Sequence, residues 1–188
     1  LFKQKINLQT VCRLIFCIFT QIKQPNQSKI VMTNPKLLDS YTKLYSGKYT
    51  EIYDMSHELP YVAFAYWKGF YRLTDPDFVK EMQLSVDLIR DKRLKVYISD
   101  HSMLQVVADD VLAWLHQNWY AKASQHGLLM EAALDANNVF GQLSLQKMLD
   151  DSKTGKILTP KYPDFITAKQ QVKEFLDAKA KAMVGKIV

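Results

Sequence analysis

The chain has 188 residues, 48% of them hydrophobic and 23% charged. That is enough for one domain with a proper core, and six glycines and six prolines are too few for a low-complexity chain. The net charge of +6 sits mostly in residues 1–31, where Lys3, Lys5, Arg13, Lys23 and Lys29 face no acid; the other residues carry 20 basic and 19 acidic side chains. The body is therefore nearly neutral, which argues against a nucleic-acid binder held by counterion release.

Residues 1–31 also hold both cysteines, Cys12 and Cys17. The remainder offers no thiol nucleophile or thiolate metal cage and fits a reducing, cytoplasmic setting. The segment begins with Leu1, and the first methionine is Met32. As a secretory signal it is interrupted by Arg13 and lacks a small-residue cleavage site. The apolar run from Val11 to Ile22 is too short to span a bilayer, although a basic segment lying on a membrane or partner remains open. We expect 1–31 to be a non-native or disordered leader, 32–48 an N-terminal extension, and 49–184 a single domain.

Leu37, Leu38, Tyr41, Leu44 and Tyr45 recur at helical steps, predicting a short helix over about 36–45. YTEIYDM (49–55) and YVAFAYWKGF (61–70) are rich in aromatic and β-branched residues and are joined by the turn SHELP, which predicts an antiparallel hairpin. Asp75 and Pro76 open a helix carrying Phe78, Met82, Val86 and Ile89. LKVYIS (94–99) reads as a short buried strand followed by a loop. A helix over about 108–124 stops at Gly127. Its Trp114 and Trp119, five apart, do not share an α-helical face. LLMEAAL (128–134) is the next strand. A helix with Phe140, Leu143, Met148 and Leu149 follows, then an extended KILTP (156–160) and a last helix capped by Asp164.

The predicted order is β-β-α-β-α-β-α-β-α. It implies an α/β fold: a mixed, mostly parallel sheet opened by a β-hairpin and flanked by helices. Ligands in such sheets sit beyond the carboxyl ends of strands, here after Ser99, after Leu134 and at Thr159.

Asp100, His101, Ser102, Asp109 and Asp110 crowd the stretch SDHSMLQVVADDVL (99–112). No recognised metal spacing is present, and Asp109 and Asp110 suit the first turn of a helix. Ser102 beside His101 lacks the geometry of a nucleophile elbow. His57, His116 and His126 are scattered, and no glycine-rich phosphate loop occurs. We expect no catalytic group, metal or cofactor. The aromatics from Tyr61 to Tyr71 have only Lys68 and Arg72 between them, so core packing or a pocket rim explains them better than base stacking.

YWKGF, KVYISD, VVADDVLAWLHQNWYAKASQHGLLMEAAL and NNVFGQLS resemble an uncharacterised bacterial subgroup of the STAS/SEC14-like (SpoIIAA-like) domain family, over about 49–182. The resemblance implies a sheet flanked by helices, as in anti-sigma-factor antagonists and, more loosely, lipid-carrying SEC14 (CRAL-TRIO) domains. In those antagonists a serine in a D-S-S-G-L run accepts phosphate from a partner kinase. Laid over that run, Ala108-Asp109-Asp110-Val111-Leu112 has Asp at both serine positions and Val111 at the glycine. An aspartate carries about one negative charge where a phosphoserine carries nearly two. The switch is thus not carried over.

The expected function is a non-catalytic regulatory or protein-binding module. It meets a protein partner, or itself as a dimer, through Asp100, Ser102, Asp109 and Asp110. One alternative is a carrier of a small apolar or lipid-like ligand in a pocket of Trp67, Trp114, Trp119 and Phe140, which needs about 300–1,000 Å³. A weaker one is a hydrolase or phosphotransfer enzyme in which Asp100, Asp109 and Asp110 converge. Neither nucleic acid nor stable membrane insertion is expected.

Overall fold

A computed structural model of the chain describes residues 38–152 and 157–184. The leader 1–31 and the start of the extension lie outside the described residues. The described elements are β1 (Thr42–Ser46), β2 (Thr50–Asp54), β3 (Val62–Tyr71), α1 (Pro76–Lys92) and β4 (Val96–Val107). Helix α2 follows in three parts, α-helical over Asp109–Trp114, π-helical over Leu115–Tyr120 and α-helical over Ala121–Gln125. The rest are β5 (Met130–Leu134), α3 (Val139–Ser152), β6 (Lys161–Tyr162) and α4 (Phe165–Val184).

The six strands lie side by side in chain order. The first three run antiparallel, and β3 to β6 are parallel. This is the mixed α/β class expected from the sequence, with one more strand at its start. The expected helix over 36–45 is the correction: Thr42–Ser46 is a strand, with Lys43 opposite Tyr53 and Tyr45 opposite Ile52. Only Leu38 and Tyr41 keep inward roles before it. Strand pairing outweighs a weak local helical period.

Helices cover the two faces unequally. Phe78, Met82, Val86 and Ile89 of α1, Val111, Leu115 and Trp119 of α2, and Leu145, Met148 and Leu149 of α3 join Ile52, Trp67 and Tyr97 in one core layer. Phe165, Ala168 and Val172 of α4 pack with Phe64, Ile98 and Ala132 on the opposite face. Each strand splits its side chains between the two layers by its period of two.

The starts and stops follow the local chemistry. Asp75 caps α1 by accepting the Asp77 N–H at 3.0 Å, with Pro76 next to it. Asp164 caps α4 through the Thr167 N–H at 2.7 Å. Gly127, with φ of +92°, ends α2 as expected. No helix among the described residues is long and apolar enough to cross a membrane.

Strand β4 departs most from expectation. The predicted loop after Ser99 is strand, and the element runs on to Val107. It does so because β3 is long enough to pair with all of it, from Val62↔Val96 to Tyr71↔Val107. Its other neighbour, β5, pairs only as far as Asp100↔Leu134. Beyond that point the start of α3 takes over: the Asn137 N–H donates to the Ser102 carbonyl at 3.2 Å. The Asn138 amide donates to the Leu104 carbonyl at 2.7 Å, and the Val107 N–H donates to the Ser144 hydroxyl at 3.1 Å. Gly141 makes this approach possible, because a Cβ there would collide with the Leu104 carbonyl oxygen.

The described part of the expected extended piece KILTP lies beside β5, where the Glu131 and Ala133 N–H groups donate to the Leu158 and Pro160 carbonyls. Leu158 forms a single bridge to Met130, and the paired residues Lys161 and Tyr162 come just after it.

Candidate functional site

Asp100-His101-Ser102 form a β-bulge. Between Tyr66↔Asp100 and Lys68↔Met103, β4 uses one residue more than β3. The Asp100 carboxylate steadies it by accepting the Ser102 N–H at 2.8 Å. Asp100, His101 and Ser102 are all buried. Asp109 and Asp110 are exposed at the start of α2. About seven residues of largely extended chain, roughly 20 Å, separate the two pairs along β4. The expected partner-binding set is therefore split: Asp100 and Ser102 serve the bulge and are buried, while Asp109 and Asp110 are exposed. The carboxylates of the hydrolase alternative do not converge, and no group of three metal-ligating side chains occurs among the described residues.

The bulge turns His101 toward the helices α1, α2 and α3, where a polar cluster lies inside the apolar layer. The His101 Nδ1 is 3.3 Å from the Leu134 carbonyl oxygen, and its Nε2 is 3.9 Å from Glu131 Oε1. Tyr120 donates its hydroxyl to Glu131 Oε2 at 2.6 Å. Burial pushes the His101 pKa down, against the pull of the Glu131 and Asp100 charges and of the Leu134 and Ser99 backbone. Burial, then the Glu131 charge, pushes the Tyr120 hydroxyl well above its usual range, so it stays protonated.

The π turn brings Tyr120 there. Trp119 and Tyr120 are adjacent in it and both buried. Trp119 donates its indole N–H to the Ser85 hydroxyl at 2.8 Å and meets Trp67 edge-on with centroids 6.2 Å apart. As expected for two residues five apart, one tryptophan is buried and the other half-buried. Trp114 is half-buried against the same core as Trp119 and touches Phe78 at 5.8 Å.

Of the expected pocket residues, Trp67 and Trp119 line a cavity of about 20 Å³ beside His101 and Glu131. Neither Trp114 nor Phe140 lines it. That volume is an order of magnitude below what a lipid-like ligand needs. Phe140 is 70% exposed, with Val139 at 67% and Leu143 at 59%. These three form one stripe on α3, by steps of three and four. The stripe continues to Lys147, whose ammonium is 3.4 Å from the Asp109 carboxylate. The structure thus joins Asp109 to an apolar helix face that includes Phe140, expected from the sequence to line a pocket.

On the opposite sheet face, Tyr53, Tyr66, Lys43, Lys68, Ser102 and Met103 border an open groove of about 570 Å³. Glu51 anchors it, with Lys68 at 2.8 Å and Lys43 at 3.1 Å. The hydrogen bond from Lys68, above the others, pushes the Glu51 carboxyl down to about 2. A depressed carboxyl contributes stability above its unfolded pKa and loses it as pH falls toward the folded one. The loss should therefore run from about pH 4.5 down to 2. Glu51→Gln should flatten the fall in Tm between pH 5 and 3; an equal fall in both proteins would show that Glu51 contributes nothing to acid sensitivity.

No family model matches the chain, and no curated protein does. The chain is similar to an anti-sigma factor antagonist. That solved structure, from Mycobacterium paratuberculosis, shares 16% identity, with 71% of this chain and 95% of that chain covered at a TM-score of 0.43.

Sequence reasoning missed the buried acids Glu131 and Glu81. Both left a signal. Glu131 sits inside the apolar run LLMEAAL. Glu81 stands one turn after Phe78 and one before Ser85, on the buried stripe of α1.

Proposed function

We propose that the protein is a non-catalytic regulatory module that binds another protein, with no serine phospho-switch in the Asp109–Asp110 turn. The exposed stripe of Val139, Phe140 and Leu143 carries this reading. Exposed large apolar side chains on one helix face, next to charged residues, have the make-up of an interface core with a polar rim. Asp109, paired with Lys147 at the end of the stripe, and its neighbour Asp110 present exposed carboxylates at the start of α2. The complementary partner has an apolar cleft flanked by basic side chains. Aspartates hold that charge permanently, so contact is not gated by phosphorylation at this turn. The lack of cysteine in residues 32–188 fits action in a reducing compartment.

Affinity purification of the tagged chain from its source cells, followed by titration with the recovered partner, tests this. Phe140→Asp with Leu143→Asp should weaken binding by ~30-fold or more, the effect of losing one interface anchor. Asp109→Lys with Asp110→Lys should slow association and reduce its salt dependence. Both variants should keep the wild-type Tm, since these side chains face outward. Unchanged affinity in the Phe140/Leu143 variant would overturn the reading, and a chain that pairs only with itself through this stripe would replace the partner by a second copy.

A further inference from the structure

The polar cluster around His101 presents two mismatches in hydrogen bonding that one small molecule resolves. The Leu134 carbonyl can only accept, so the His101 Nδ1 facing it carries the ring proton. In the neutral ring, which burial favours, Nε2 is then an acceptor. It faces Glu131 Oε1, a second acceptor, at 3.9 Å. That distance is too long for a hydrogen bond, and two acceptors cannot form one. On the same cavity lie two donors with the opposite difficulty. The Trp67 indole N–H and the Tyr71 hydroxyl are buried with no hydrogen-bond partner among the described residues. Both side chains line the cavity that His101 and Glu131 line.

A buried donor without an acceptor is costly, and two in one place call for a shared explanation. The cavity measures about 20 Å³. A single water needs about 10–15 Å³ by the same measure, with two to four polar partners. We propose that this cavity is a binding site for one ordered water, which accepts from Trp67 Nε1 and Tyr71 Oη and donates to Glu131 Oε1 and His101 Nε2. Water has two donors and two acceptors, which matches the set. A metal ion or ammonium cannot accept from the indole and the phenol. An apolar molecule satisfies none of the four. The bound water ties β3, β4 and β5 together beneath the π turn of α2, which supplies Tyr120 to the far oxygen of Glu131.

A crystal structure of the full chain at about 1.5 Å tests the site directly. Tyr71→Phe tests it in solution, since it removes one hydroxyl oxygen and keeps the ring. Density for one water within 2.7–3.2 Å of these atoms is the expected result. Tyr71→Phe should then lower the Tm by ~2–4 °C, the effect of one lost hydrogen bond in a chain of this size. The opposite sign discriminates: a hydroxyl with no partner is a burden, and its removal leaves Tm unchanged or raises it. A dry cavity, a direct His101–Glu131 contact that closes it, or a Tyr71→Phe protein as stable as wild type would each overturn the proposal.

Discussion

Glu81→Ala should lower stability by ~3–5 kcal/mol, read as a shift in the urea midpoint with an unchanged slope. The carboxylate reaches from the middle of α1 into the turn between β1 and β2. There Oε1 accepts the Lys48 N–H at 2.7 Å, and Oε2 accepts those of Tyr49 and Thr50, each at 2.9 Å. Bonds to a charged acceptor are the stronger kind, and Glu81 is only 3% exposed. Alanine strands all three donors. Glu81→Gln keeps the shape but turns an amide toward one of them, so it should cost less, about 1–3 kcal/mol. Gly47 belongs to the same device, because a Cβ there would lie 2.5 Å from the carboxylate. Equal costs for alanine and glutamine would show that packing, and not the three bonds, holds the turn.

Trp119→Ala should cost a similar amount, ~3–5 kcal/mol. The indole is 3% exposed and sits between Trp67 and Tyr97, with centroids 6.2 and 6.4 Å away. Its N–H is held by Ser85, whose hydroxyl donates onward to the Met82 carbonyl at 2.7 Å. Truncation enlarges the neighbouring cavity and leaves the Ser85 oxygen without its donor. Trp119→Phe keeps much of the volume and should cost less than half as much. Thermal unfolding followed by circular dichroism measures both. A loss below ~1 kcal/mol for alanine would mean that the π turn relaxes to close the gap, and that its geometry is not fixed by this side chain.

The sequence made the order of strands and helices legible from Tyr49 onward because periodicity and caps agree there: Asp75-Pro76 open a helix and Gly127 closes one. It hid β1, whose five residues fit a helical period as well as a strand and are decided by pairing with β2. It also hid the end of β4. Asp100, His101 and Ser102 look like a polar loop, and only the bulge against β3 makes them interior residues. For the site, polar residues were read as surface and aromatic ones as pocket. The structure exchanges these roles for His101 and Phe140: a bulge shifts strand register by one and turns His101 inward, while Phe140 lies on the outer face of α3, which its residue type alone does not reveal.

The hold that α3 keeps on β4 gives this helix two duties that pull against each other. Its outward stripe is the proposed grip for a partner, while Asn137 and Asn138 just before it and its inward Ser144 occupy hydrogen-bonding groups that a neighbouring strand would otherwise take. Uncovered strand edges recruit other strands, including those of identical chains. A partner strong enough to lift α3 would therefore release a self-templating edge together with its own binding surface. On the proposed reading a partner clasps the helix where it lies, and mutations that loosen Gly141 or Asn138 should promote self-association through the released edge of β4.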